Sequence, residues 1–342
     1  MNRTTNDLNG ASAKTALKIV LGTSNLGKEG KVQVRVHDSE EIASILNTFQ
    51  KYGHKEIDTA RIYGGGSTEE CLSDLNWRER GLIIGTKLVP LKKGPFSYSH
   101  TKEGVNSGLT ESLKALQTEE VDLWSLHLPD HNTPYEETLK AVNELYNAGR
   151  FKRFGISCYT AAEVAQICGL CERNGWKKPD VYSGLYNGVQ RNVEPELFPC
   201  LRHYKIAFYM FRPLQKGLLT DKAQRGITSH GLVDAKVKAD PNSKPDTRRQ
   251  DSNEAEFDAL DVIRPVTQKL GITTAEAALR WASHHSLLRS ECGDAIMIGA
   301  SSAVQLEQSL ESLEKGPLPD EMVKAFDDGW ALVKPSATPY FL

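Results

Sequence analysis

No run in this chain approaches the roughly 18 consecutive apolar residues of a membrane helix. The opening stretch MNRTTNDLNGASAKTA also lacks the apolar core of a secretory signal. A membrane partner is therefore not expected; a cytoplasmic protein with a flexible tail over residues 1–16 is. Charge of one sign is missing too: 42 Lys and Arg against 44 Asp and Glu leave a net charge of -2, which gives no electrostatic case for nucleic acid. Cysteine is sparse. The six, Cys71, Cys158, Cys168, Cys171, Cys200 and Cys292, are too scattered for a disulfide framework. Cys168 and Cys171 form a C-x-x-C inside a helix-like segment, but no second pair completes a zinc site, so a structural role and no metal are expected. Finally, no G-x-G-x-x-G follows the first strand-like run, which argues against an open dinucleotide-binding sheet.

What is present is one phrase repeated eight times, a short apolar run followed by a helical pattern. The runs are residues 17–22, 55–58, 82–87, 121–127, 154–157, 181–185, 206–211 and 295–298, each succeeded by a segment of helical periodicity. Asn147-Ala148-Gly149 and Asn174-Gly175 punctuate the fourth and fifth helices. Eight such units predict an α/β fold, a single (β/α)8 TIM barrel over residues 17–342. Three parts fall outside the repeat. Residues 221–253 are a long polar insertion, either a lid or plain disorder, 272–288 read as an amphipathic helix opened by Thr273 and Thr274, and 319–333 read as a C-terminal helix whose tail, PSATPYFL, could fold back over the barrel mouth. Trp124 and Trp281 read as packing residues.

The C-terminal ends of barrel strands share one face, and that face carries the chemistry. Four polar residues fall there in succession: Asp58 ending the second strand, Tyr63 in the glycine-rich loop after it, Lys87 ending the third and His127 ending the fourth. Each alone has a structural explanation, a strand cap or a satisfied core histidine. Together, at strand ends about 4.8 Å apart, they form a set suited to carbonyl reduction. A phenol is a weak acid unless a cation stabilises its phenolate. Lys87 can be that cation, Asp58 can hold Lys87, and His127 can hydrogen-bond a carbonyl oxygen as negative charge develops on it.

Beyond this set, the chain resembles the aldo-keto reductase superfamily, most closely its aflatoxin-aldehyde reductase-like branch. The resemblance runs from about Leu17 to Phe341 through VLGT at Val20, EIDTARIYGGG at Glu56, GTK at Gly85, DLWSLHLPDH at Asp122, RFGIS at Arg153, YNGVQR at Tyr186, ALRWASHHS at Ala278 and IGASSAVQLEQSLESLEKGPLP at Ile298. It implies that Asp58, Tyr63, Lys87 and His127 are the catalytic tetrad, with NADPH (NADP+) extended across the barrel mouth and a small-molecule carbonyl as substrate. It further implies cofactor contacts from Ser157, Cys158, Ser183, Phe211, Arg212, Leu214, Gly217 and Lys222. The adenosine 2'-phosphate would lie against Gly299, Ser301, Ser302, Gln305, Gln308 and Ser309. The same resemblance makes a homodimer plausible. His127, Tyr340 and Phe341 are the residues expected to meet substrate.

Several of these positions depart from the family pattern. Cys158 stands where Asn usually follows Ser157, Ser183 replaces a Gln, and Phe211 replaces the Tyr that stacks on the nicotinamide. Arg212 replaces Ser or Asn, Lys216 and Asp221 replace glycines, and Ser309 replaces Asn. Arg212 could pair with the cofactor pyrophosphate or occupy its space. The proton-transfer set is complete while the nicotinamide-holding set is altered. Two alternatives thus accompany carbonyl reduction: acid-base chemistry without net redox on a natural-product carbonyl, and a cofactor-binding regulatory protein.

Overall fold

The computed structural model describes residues 15–91, 96, 98–225 and 254–342. Eight parallel strands, β1 (Lys18–Gly22), β2 (Glu56–Asp58), β3 (Ile83–Leu88), β4 (Val121–Leu126), β5 (Phe151–Ser157), β6 (Val181–Leu185), β7 (Ala207–Phe211) and β8 (Ala295–Ile298), pair in sequence order and close through β1 against β8. The expected barrel is thus the observed one. Strand boundaries move by a residue or so, except that β5 begins at Phe151, three residues earlier than its apolar run: Lys152 and Arg153 interrupt the pattern that marks a strand in sequence.

The helices are α1 (Ser39–Lys51), α2 (Ser67–Asp74), α3 (Lys102–Ala115), α4 (Tyr135–Asn147), α5 (Ala161–Asn174), α6 (Leu197–Tyr204), α7 (Glu254–Leu270), α8 (Thr274–His284), α9 (Ala303–Leu313) and α10 (Asp320–Val333). Many start where a side chain satisfies a free N–H of the first turn: Asp38, Thr101, Thr160, Thr273 and Ser302 cap α1, α3, α5, α8 and α9, and Glu163 completes a capping box at α5. No helix among the described residues is long and apolar enough to cross a membrane.

Outward-facing strand residues and the inner helix faces form the main core, in which Trp124 and Trp281 are both fully buried. Cys168 and Cys171 are free thiols in this layer, pushed up by burial to about 12 and about 11. Helix α10 packs along α7, and its Phe326 ring lies on Gly188 in the β6–α6 loop. A methyl group at Gly188 would come within 2.5 and 2.8 Å of that ring. Gly188→Ala should lower stability by about 1–3 kcal/mol, read from the urea midpoint, because the ring at 0% exposure has nowhere to yield.

The inside of the barrel is a separate small apolar cluster, Val20, Leu123, Val181, Ala207, Tyr209, Ala295 and Met297. Below it, at the N-terminal ends of the strands, an ionic plug closes the barrel. Arg153 donates to Asp122 at 2.7 Å, to Tyr209 at 2.8 Å and to Glu56 at 2.7 Å, and Lys18 reaches Tyr209 at 3.0 Å and Glu56 at 3.2 Å.

The segment expected as a flexible tail lies outside the described residues up to residue 14. Thr15, inside that expected range, is tied down by its N–H to the Leu313 carbonyl at 3.0 Å. Of the expected polar insertion, residues 226–253 also lie outside the described part. Asp221 at its start has a fixed task, accepting from the N–H and hydroxyl of Thr274 at the head of α8.

Candidate active site

Side chains two apart on a strand share a face. Above the plug this alternation raises a second layer of side chains, most of them polar, at the C-terminal rim. Asp58 stands two residues above Glu56, Ser157 four above Arg153, and Phe211 two above Tyr209. Lys87 lies one residue before the end of β3, and Ser183 is centred in β6. His127 falls just beyond β4, its N–H held by the Leu88 carbonyl at 2.7 Å. Tyr63 opens a short 3-10 turn over Tyr63–Gly66, in which three successive glycines have φ of 57°, 57° and 92°. Side-chain-bearing residues rarely take that conformation, which is why the Tyr63 loop is glycine-rich.

The structure brings four of the expected residues together. Lys87 Nζ donates to Asp58 Oδ2 at 2.6 Å and to the Thr59 carbonyl at 2.8 Å, and it reaches the Tyr63 hydroxyl at 3.4 Å. The same ammonium lies 5.0 Å from the centre of the Tyr63 ring. His127 meets that ring edge-on, with centroids 5.7 Å apart. The Thr59 carbonyl is a ligand of Lys87 that sequence reading missed; a backbone atom leaves no side-chain signal.

Electrostatics follow from burial. Burial raises the Asp58 carboxyl above its ordinary value against the pull of Lys87. It also works to strip Lys87 of its proton, but Asp58 at 2.6 Å outweighs this and holds the ammonium charged, above the usual lysine value. The Tyr63 phenol is likewise pushed up by burial, with Lys87 pulling it back. Burial therefore wins over the cation. His127 is driven down to about 3 by burial and by Lys87, so its imidazole is neutral. Its buried Nδ1 has no hydrogen-bond partner among the described residues. A bare lone pair is a cheaper orphan there than an unpaired N–H, which favours the proton on Nε2.

A profile of the Aldo/keto reductase family matches residues 18–331. The chain belongs to that family. It is 57% identical to an aldo-keto reductase of Pseudocercospora fijiensis over 87% of this chain and all of that protein. It is 40% identical to human aldo-keto reductase family 7 member A3, over 94% of this chain and 96% of that one. Human aflatoxin B1 aldehyde reductase member 2 is also 40% identical, over 94% and 89%. The resemblance to the aflatoxin-aldehyde reductase-like branch thus holds across almost the whole chain, and the barrel is that of an oxidoreductase family whose chemistry is carbonyl reduction.

Aldo-keto reductases use a nicotinamide cofactor, and the expected contacts can be located on this barrel. Ser157 and Ser183 are buried neighbours, paired across β5 and β6. Cys158 follows with φ 66°, its thiol 3.5 Å from the Ser157 hydroxyl. Phe211 ends β7, and the Arg212 guanidinium lies 5.6 Å from its ring centre. Arg212 has φ 58°, and its carbonyl is fixed by Asn187 Nδ2 at 3.0 Å. Asn187 also holds Gln215 at 3.0 Å, and Gln215 in turn reaches the buried Glu256 at 2.8 Å. Sequence reading passed over Asn187, although it stands in the YNGVQR motif. The guanidinium of Arg212 makes no hydrogen bond or ion pair among the described residues. It is open to water yet walled in by the barrel mouth; burial draws its pKa down, while Tyr63 and Cys158 oppose the shift.

Leu214 is partly buried, whereas Gly217 and Lys222 are exposed. The remaining group gathers at the head of α9. Ser302 caps Gln305 N–H at 3.2 Å, Ser301 donates to Gln305 Oε1 at 2.7 Å, and Ser309 donates to the Gln305 carbonyl at 3.0 Å. Gly299 and Gln308 are exposed beside them, and the first turn holds no acidic residue. An unpaired guanidinium and an acid-free helix N-terminus suit a molecule carrying phosphates.

The tail does return to the mouth: the Leu342 N–H donates to the Cys158 carbonyl at 3.1 Å. Tyr340 is buried, its hydroxyl donating to Glu196 and accepting from the Ala161 N–H at 3.2 Å. It therefore anchors the tail, with its hydroxyl engaged by protein, and Phe341 beside it is the exposed ring of the pair, at 38%.

Proposed function

We propose that this chain reduces an aldehyde or ketone to the alcohol with NADPH, Tyr63 giving the proton. One observation carries the reading: a single ammonium, Lys87, joins a buried carboxylate at 2.6 Å to a phenol at 3.4 Å. NADPH, when bound, supplies the hydride. The protein's residues do the rest. Nε2–H of His127 orients the carbonyl oxygen and bears on the charge that grows there. That oxygen becomes far more basic than a phenolate, so Tyr63 can protonate it despite its raised pKa. Lys87 then stabilises the phenolate left behind, and Asp58 keeps Lys87 charged. Cys158, Ser183, Phe211 and Arg212 would border the nicotinamide, and Ser301, Ser302 and Gln305 the adenosine phosphate. A single barrel unit over 17–342, cytoplasmic location and a homodimer belong to the same proposal. The test is oxidation of NADPH against a panel of aldehydes, with NADH for comparison; no turnover and no cofactor binding would remove the reading.

Arg212→Ser should weaken NADPH binding by about ten- to a hundredfold, the worth of one hydrogen bond to a charged group, followed by quenching of tryptophan fluorescence. Tighter binding in the variant would mean that Arg212 occupies cofactor space.

The same reading carries a pH dependence. An ordinary histidine titrates near 6.5, but His127 titrates at about 3, so it stays neutral as pH falls through 6 and 5. The rate of reduction should therefore show no acid limb between pH 5 and 7. The same shift costs stability, since the unfolded chain takes up this proton below about pH 6.5 and the folded one only near 3. A limb centred near 6.5 that vanishes in His127→Gln would contradict this.

The altered nicotinamide set, Cys158, Ser183 and Arg212, motivates a second reading: acid-base chemistry on a carbonyl without net redox. Turnover by protein stripped of nicotinamide would favour it.

A further inference from the structure

We propose that Arg61 and Glu69 are positioning residues, a buried ion pair that sets the glycine-rich loop so that Tyr63 meets Lys87. The inference rests on Tyr63 being the proton donor. Glu69, in the first turn of α2, is fully buried. Its Oε2 accepts from Arg61 Nη1 at 2.8 Å and its Oε1 from the Thr86 hydroxyl at 2.6 Å. The same Nη1 also donates to the Gly66 carbonyl at 2.8 Å. Arg61 thus grips the far end of the loop that begins two residues after it, and Thr86 fixes the carboxylate to the residue immediately before Lys87. The Arg61 N–H adds a main-chain link to the Lys87 carbonyl at 3.3 Å. Phe96 lies against the guanidinium, 4.9 Å from its ring centre.

The loop needs such a device. Three successive glycines would otherwise leave its path loosely determined. Stability alone does not call for an ion pair, since buried pairs are commonly replaced by apolar residues without loss. What the pair provides is direction: its bonds end on the two segments that carry the reacting groups. Between those groups the distance is 3.4 Å, already at the limit of a hydrogen bond. A slip of about 1 Å in such a geometry is enough to cost a hundredfold in rate.

The test uses the full chain and the double substitution Arg61→Met with Glu69→Leu, beside Thr86→Val, which leaves the ion pair but removes the tie to β3. The expected result is a folded double variant whose kcat falls at least tenfold while KM for the carbonyl changes less than about threefold. The solvent deuterium isotope effect on kcat should rise as proton transfer becomes limiting, and Arg61→Lys alone should recover part of the loss. A purely structural pair would move the unfolding midpoint and leave the kcat of the folded fraction and the isotope effect unchanged; that result overturns the proposal. If the double variant does not fold, Thr86→Val decides: a lower kcat with a raised isotope effect supports the clamp, and wild-type values refute it. Tyr63→Phe is measured in parallel. If it retains activity, the reading of Tyr63 fails and the clamp with it. If it is inactive while the clamp variants match wild type, only the clamp fails.

Discussion

Tyr63→Phe should lower kcat for carbonyl reduction by about 10²–10⁴-fold, the usual worth of a positioned general acid, with the fold intact. The substitution removes one hydroxyl and keeps the ring that packs edge-on against His127. Lys87 loses only its longest contact, at 3.4 Å, and keeps Asp58 and the Thr59 carbonyl. No buried charge is stranded, so the unfolding midpoint should stay close to wild type. NADPH affinity, measured by fluorescence, should also change little. A fall in kcat of less than threefold would mean that the proton comes from elsewhere, water or His127, and the proposed mechanism would be withdrawn.

Lys87→Met should be as damaging to catalysis and far more damaging to the fold. Without the ammonium, the phenolate that forms at Tyr63 has no cation beside it. In addition, Asp58, only 6% exposed, is left without the donor that balances its charge. Breaking a buried pair by removing one member costs about 3–5 kcal/mol. The two effects separate in the double variant Lys87→Met with Asp58→Asn: equilibrium unfolding should recover most of the stability, while reduction of the aldehyde stays at background. Recovery of activity alongside stability would show that Lys87 acts only as a structural partner of Asp58.

The barrel was legible because the eight apolar runs are short, separated by helical periods, and closed by recognisable punctuation such as Gly149 and Gly175, both observed at positive φ. The early part of β5 was not, because Arg153 faces the interior as part of an ionic plug, and a half-buried arginine looks like a loop residue in sequence. Asp58, Tyr63, Lys87 and His127 could be picked out as polar residues at successive strand ends, and alternation along the strands explains why they converge. What sequence could not show was who holds them. The Thr59 carbonyl under Lys87, Asn187 under the Arg212 carbonyl and the Arg61–Glu69 pair across the glycine loop are tertiary contacts with no local pattern. Nor could it show the balance between burial and charge. Lys87 beside Tyr63 suggests an acidified phenol, but the depth of the site leaves that phenol a weaker acid than a free tyrosine.

The ionic plug of Lys18, Glu56, Asp122, Arg153 and Tyr209 has a kinetic consequence. With its interior packed and its floor stoppered, the barrel opens, among the described residues, at the rim, so on the proposed reading whatever meets at Tyr63 arrives and departs there, past Arg212 and the Leu342 tail. Two molecules that share a single doorway must queue. On the proposed reading the one that sits deeper should enter first and leave last, an order that product-inhibition patterns would read out.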